Sequence, residues 1–110
     1  PKLKKIFKIP GRTPGAIPTG IYGKNQVNTK PTNTIEAFVG LYCRTALPEE
    51  VVYRMTKTFW DHIDEMWAVT AWAKGAINKK MIFKEANWKM HPGALKYYKE
   101  IGLKIPAVVQ

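Results

Sequence analysis

Cysteine is almost absent from this sequence of 110 residues: Cys43 stands alone, so no disulfide can form within the chain. Its expected role is that of a small buried hydrophobe in the middle of a strand. Acidic residues are scarce too, eight against eighteen lysines and arginines, and only Arg12, Arg44 and Arg54 among those bases are arginine. Dedicated nucleic-acid readers rely on arginine for bidentate contacts, so this shortage disfavours that class. No apolar run approaches the ~18–20 residues that span a bilayer. Neither an initiator methionine nor a signal-type apolar segment opens the chain, and Pro1 is expected to mark a processed product, an excised expression piece or a fragment. His62 and His91 stand apart with no spaced Cys or Glu cluster, and no nucleophile motif or phosphate-cradling glycine loop occurs. No metal, cofactor or catalytic residue is therefore expected.

What remains is a globular composition, 45% hydrophobic and 12% aromatic, in a chain long enough for one small domain. The net charge of +10 is uneven. Residues 1–35 contain no acid and carry +7, residues 36–70 carry −3, and residues 71–110 carry +6. Such blocks suit an anionic partner: nucleic acid, phospholipid headgroups or a carboxylate ligand.

The stretch from Pro48 to about Lys74 reads as one long amphipathic helix. Val52, Met55, Phe59, Ile63 and Met66 recur with helical period, and Tyr53, Trp60 and Trp67 form a second stripe beside them. Pro48 suits the first turn, Glu49 and Glu50 favour the positive end of the helix dipole, and Glu50 precedes Arg54 by four. So much aromatic surface demands cover. Something must supply it.

Before that helix, Lys2 to Lys8 reads as a basic helical turn or an edge strand, and Pro10 to Gly20 is expected to hold only short extended pieces. Thr19-Gly20-Ile21-Tyr22-Gly23 presents a tyrosine between glycines, which allow positive φ and close approach. Lys24 to Asn33 is a polar loop. Thr34 to Arg44 alternates, with Ile35, Ala37, Val39, Leu41 and Cys43 on one face and Glu36, Phe38, Gly40, Tyr42 and Arg44 on the other. That pattern predicts a strand inside a sheet, turning directly into the long helix as an α/β unit. Met81 to Ala86 suggests a helical turn ending before Asn87. Pro92 opens a last helix with Leu95, Tyr98 and Ile101 inward and Gly102 at its end, His91 caps or packs at its start, and the tail after Pro106 is expected to be loose.

Several of these signals share the spacing of one family. His91-Pro92-Gly93-Ala94, then Tyr97-Tyr98, Glu100 and Gly102-Leu103, resembles the HPGAxxYYxExGL ending of TAXI-family solute-binding proteins, the extracytoplasmic receptors of TRAP transporters. Leu47-Pro48-Glu49-Glu50-Val51-Val52-Tyr53 is similar to that family's LPEDxVY helix start, and Thr56-Lys57-Thr58-Phe59-Trp60 to its TKALFEN continuation. Ile17 to Gly23 is similar to IPAGTYPG, with Ile21 in place of threonine and no proline after Tyr22. The resemblance runs from about Lys4 to Leu103. It implies the C-terminal part of a two-lobed, periplasmic-binding-protein-like α/β fold of type II, with an incomplete sheet, whose missing strands and whose cover for Tyr53, Trp60 and Trp67 would belong to a portion outside this chain. On that basis residues 1–33 form a basic, hinge-like lead-in, 34–74 a strand plus long helix, and 75–110 a loop with short helices and a tail.

The function implied is an extracytoplasmic or periplasmic receptor, not an enzyme, that captures a small anionic organic solute (a dicarboxylate or acidic amino acid) for a TRAP membrane permease. Lobe closure needs a hinge, and the Pro14 to Gly23 crossing is expected to supply it. In the site, Tyr22 would donate a hydrogen bond, Gly20 and Gly23 would leave backbone amides accessible, and Lys24 would offset a carboxylate. The rest of the receptor, or a second copy of this chain, would complete the structure. Two other readings stay open: a small basic nucleic-acid-binding module whose lysines track phosphates, and an assembly fragment with no ligand of its own.

Overall fold

The structure, a computed structural model, describes every residue except Pro1, Phe38, Ala71, Glu85 and Asn87. Phe38 on the second face of the expected strand, Ala71 in the expected long helix, and Glu85 and Asn87 at the end of the expected helical turn therefore lie outside the described residues. The chain divides into two units, Pro1–Gly40 and Leu41–Gln110.

In the first unit a short basic helix α1 (Lys2–Ile6) precedes strands β1 (Arg12–Ile17) and β2 (Thr32–Ala37), which pair antiparallel from Arg12↔Ala37 to Ile17↔Thr32. Pro14 and Gly15 thus lie inside a six-residue strand, where only brief extended pieces and a hinge were expected. A two-stranded ladder leaves outward N–H groups unpaired on each strand, so a proline is tolerated there. The interior strand expected from Thr34 to Arg44 is corrected as well. The ladder stops at Ala37 because β1 starts at Arg12, after Gly11 turns the chain at φ 75°. Beyond it Val39 and Leu41 are 72% and 85% exposed, and Cys43 is an exposed free thiol instead of a buried hydrophobe. Alternation marks which residues could share a face, but a strand also needs neighbours to bond. Eleven residues, not a short turn, separate β2 from the next helix.

The second unit is helical. The single helix expected from Pro48 to Lys74 is three: α2 (Glu49–Asp61), α3 (Ile63–Val69) and α4 (Ala73–Ala76). His62 leaves helical geometry at φ −114° and ψ 19°, and Thr70 is extended. Val52, Trp60 and Ile63 are buried and Trp67 is half-buried, whereas Met55 is 56% exposed and Met66 lies at the surface. The aromatic stripe faces inward together with Val52, Phe59 and Ile63 of the other stripe, and only that stripe's two methionines face out. Its cover comes from within the chain, correcting the expected outside source: Ile82, Tyr97, Phe83 and Tyr98 pack around Trp60 and Ile63. Phe83 and Tyr98 meet edge to face at 5.5 Å, as do Tyr53 and Tyr97 at 6.4 Å. The tail is also ordered: a 3-10 turn (Ala107–Val109) buries Val109, whose carbonyl accepts the Met90 N–H at 2.9 Å.

The last helix, α5 (Pro92–Glu100), is legible at both ends. Gly102 at φ 77° donates to Lys99 O and Leu103 donates to Tyr98 O, the paired bonds that close a helix through a left-handed residue. At the start, the Gly93 N–H donates to His91 Nδ1 at 3.1 Å, which places the ring proton on Nε2. Nε2 then donates to Leu47 O at 3.1 Å, tying the start of α5 to the approach to α2. His91→Ala removes both bonds and is expected to cost about 1–3 kcal/mol in a urea titration. His91→Asn, which keeps a cap but cannot reach Leu47, should recover about half of that loss. Full recovery in His91→Asn would count against the bridge to Leu47, because that variant lacks only this bond.

Charged side chains join the same two helices at the surface. Glu50 accepts from Arg54 Nε at 2.9 Å and from Lys96 Nζ at 3.4 Å, and Tyr53 donates to Glu100 Oε2 at 2.5 Å. The Arg54 hydrogen bond, then that of Lys96, holds the Glu50 carboxyl below the usual glutamate value. A depressed folded value stabilises the fold above the unfolded titration point, near about 4.3, and that stability fades as pH falls through the folded value. Melting temperature should therefore decline across the pH range just below about 4.3, and Glu50→Gln should flatten that decline. An identical acid limb in the variant would assign it to other carboxyls.

Candidate functional site

Residues 18–31 connect β1 to β2 and hold all four sequence-predicted site residues on one loop. Gly20 and Gly23 adopt φ of 77° and 82°, which explains glycine at both, and a Cβ at either would meet no atom within 4 Å. Tight turns shape the segment: Gly23 N donates to Gly20 O at 3.1 Å and Gln26 N to Gly23 O at 3.2 Å. The Gln26 side chain braces it from within. Its Oε1 accepts from Tyr22 N at 2.9 Å, and its Nε2 donates to Pro18 O at 2.6 Å and to Asn28 Oδ1. Asn28 in turn donates to Lys30 O at 2.9 Å.

This bracing fixes the backbone and leaves the functional groups outward. Tyr22 is 74% exposed, and its hydroxyl makes no hydrogen bond among the described residues. Lys24 is exposed and unpaired among the described residues. The accessible-amide expectation needs refinement: the Gly23 N–H is used inside the loop, whereas those of Gly20 and Lys24 are not bonded among the described residues. Gln26 itself escaped the sequence reading. Its signal is only a glutamine four residues after a glycine-flanked tyrosine, and its bonds run to backbone groups four and eight residues away.

The sequence reading also missed an open groove of about 580 Å³ in the second unit. Trp60, Ile63 and Trp67 form its apolar lining, with Asp64, Lys74, Asn78, Lys79 and Lys80 around them. His62 bonds Glu65 at the surface at 3.0 Å, and among the described residues no group of three or more His, Cys, Asp or Glu could hold a metal ion.

The braced loop thus presents a phenol, an ammonium group and open backbone N–H groups to solvent. The model of the NMT1-like family matches residues 2–102, nearly the whole chain, and the chain belongs to that family. This is a periplasmic-binding-protein-like family, with a general extracytoplasmic solute-binding role and typically no enzymatic activity. No curated protein and no solved structure matches the chain. Among the described residues no helix is long and apolar enough to cross a membrane.

Proposed function

We propose that this chain is the C-terminal segment of a TAXI-type receptor, the extracytoplasmic component of a TRAP-type transporter. It captures a small anionic organic solute, a dicarboxylate or an acidic amino acid, and delivers it to a membrane permease. One observation carries the reading: the Gly20–Lys24 loop is held rigid by Gln26, yet the Tyr22 hydroxyl and the Lys24 ammonium have no partner among the described residues. A preorganised backbone carrying groups with nothing to bond suits a ligand, because only the Tyr22 and Lys24 side chains must be ordered when one binds. Tyr22 donates to the solute and covers its apolar part, Lys24 offsets a carboxylate, and the free N–H groups of Gly20 and Lys24 add donors. The TAXI assignment draws support from the order and spacing of the loop, helix-start and C-terminal motifs. Exposed Val39, Leu41 and Tyr42 suit cover by the rest of the receptor or by a second copy of this chain.

The test is calorimetric titration of the full-length receptor with succinate and L-glutamate. Tyr22→Phe removes one hydroxyl that contributes nothing to folding, so stability should stay within about 0.5 kcal/mol. Affinity should fall about three- to a hundred-fold, the value of one lost hydrogen bond to a neutral or carboxylate partner. Unchanged affinity would remove the hydroxyl from the site. Failure of both probes to bind would overturn the solute class.

A further inference from the structure

The groove beside α3 is built and not incidental. Its loop is fastened at two points: Trp67 Nε1 donates to Ile77 O at 2.9 Å, and Asn78 Nδ2 donates to Lys74 O and Gly75 O at 3.2 and 3.0 Å. Asn78 Oδ1 then accepts the Lys80 N–H at 3.1 Å, so one side chain fixes the turn that carries Lys79 and Lys80. Lys74 Nζ sits 5.9 Å from the centre of the Trp67 ring. None of Lys74, Lys79 and Lys80 is in an ion pair among the described residues, and neither is Asp64. Three ammonium groups around one concavity repel one another, and an anion relieves that repulsion.

We infer that this groove binds a small organic anion with a flat apolar body, its ring against Trp67 and its anionic group at Lys79 and Lys80. The apolar lining of Trp60, Ile63 and Trp67 selects the body, and lysine point charges select the anion. A bare phosphate would leave the indole surface unused. Asp64 sets the orientation, because its carboxylate repels an anion placed on the α3 side. The site uses none of the Gly20–Lys24 loop. It is open to water, so affinity is expected to be about millimolar.

NMR titration of the 110-residue chain with benzoate, benzyl alcohol and inorganic phosphate tests this. Benzoate should shift the Trp67 indole N–H, and benzyl alcohol and phosphate should each bind at least about three-fold more weakly. Lys79→Ala/Lys80→Ala should weaken benzoate about two- to thirty-fold, and Asp64→Asn should tighten it about 1.4- to five-fold. Lys99→Ala/Lys104→Ala removes the same charge outside the groove and should change affinity by less than about two-fold. All these side chains are exposed, so the variants should fold. The assignment fails if benzoate does not bind at about tens of millimolar. It also fails if benzyl alcohol or phosphate binds as well as benzoate, if the two lysine doubles act alike, or if Asp64→Asn weakens binding.

Discussion

Gly93→Ala is expected to destabilise the helical unit by about 3 kcal/mol, at the upper end for overpacking a tight contact. Gly93 is buried where α5 crosses α2, and a Cβ there would lie 2.2 Å from Glu49 O, 2.7 Å from Tyr53 N and 3.0 Å from Val52 Cβ. The two nearest atoms are backbone, so no rotamer change relieves the clash and the helices must separate. Separation would also disturb Tyr97, 2% exposed one turn along the same face. Against this stands the helix preference of alanine over glycine, only about 1 kcal/mol. Gly75→Ala isolates that smaller effect: Gly75 is exposed in α4, and a Cβ there meets nothing within 4 Å. It should stabilise by about 0.4–1 kcal/mol. Urea titrations followed by tryptophan emission compare the two. Substitutions of equal sign would refute backbone-to-backbone packing at Gly93.

The ends of α5 were readable in the sequence because neighbouring residues decide them. His91 reaches the N–H two residues on, Pro92 needs no donor in the first turn, and Gly102 takes the left-handed conformation that other residues resist. Gly20 and Gly23 were readable for the same reason, since their positive φ is a property of the residue itself. What depends on distant partners was not. Alternation from Ile35 to Cys43 says which side chains could share a face, but β1 is too short to pair past Ala37. The long helix looked continuous because its apolar period runs through His62. Nothing local reveals that Ile77 returns to accept from Trp67 and favours a break near Thr70. The groove was invisible in turn, because its indoles and lysines lie on different elements, seven to twenty residues apart, and are brought together by that return. Motif order within the chain led to the coarser class only, a periplasmic-binding-protein-like family, which the NMT1-like match over residues 2–102 shows.

Trp60→Ala should be the most damaging truncation in the helical unit. Trp60 is 8% exposed at the centre of the cluster with Ile63, Ile82 and Tyr97, and it meets Phe59 edge to face at 5.3 Å. Truncating a buried tryptophan costs about 3–5 kcal/mol through lost burial and the cavity left behind. At about 0.05–0.15 kcal/mol per residue, a unit of this size holds only some 4–10 kcal/mol, so the variant should lose roughly half of its stability and melt far below the wild type. The indole N–H adds little, because it lies 3.5 Å from the Tyr98 hydroxyl, at the limit of a hydrogen bond. Trp60→Phe should therefore keep most of the stability, losing about 1–2 kcal/mol for its smaller volume. Trp72→Ala provides the contrast: Trp72 is 63% exposed, and its loss should stay within about 0.5 kcal/mol. Thermal unfolding by circular dichroism ranks the three. A Trp60→Ala protein that melts with Trp72→Ala would show that the aromatic stripe takes its cover from outside the chain and not from Tyr97, Tyr98 and Ile82.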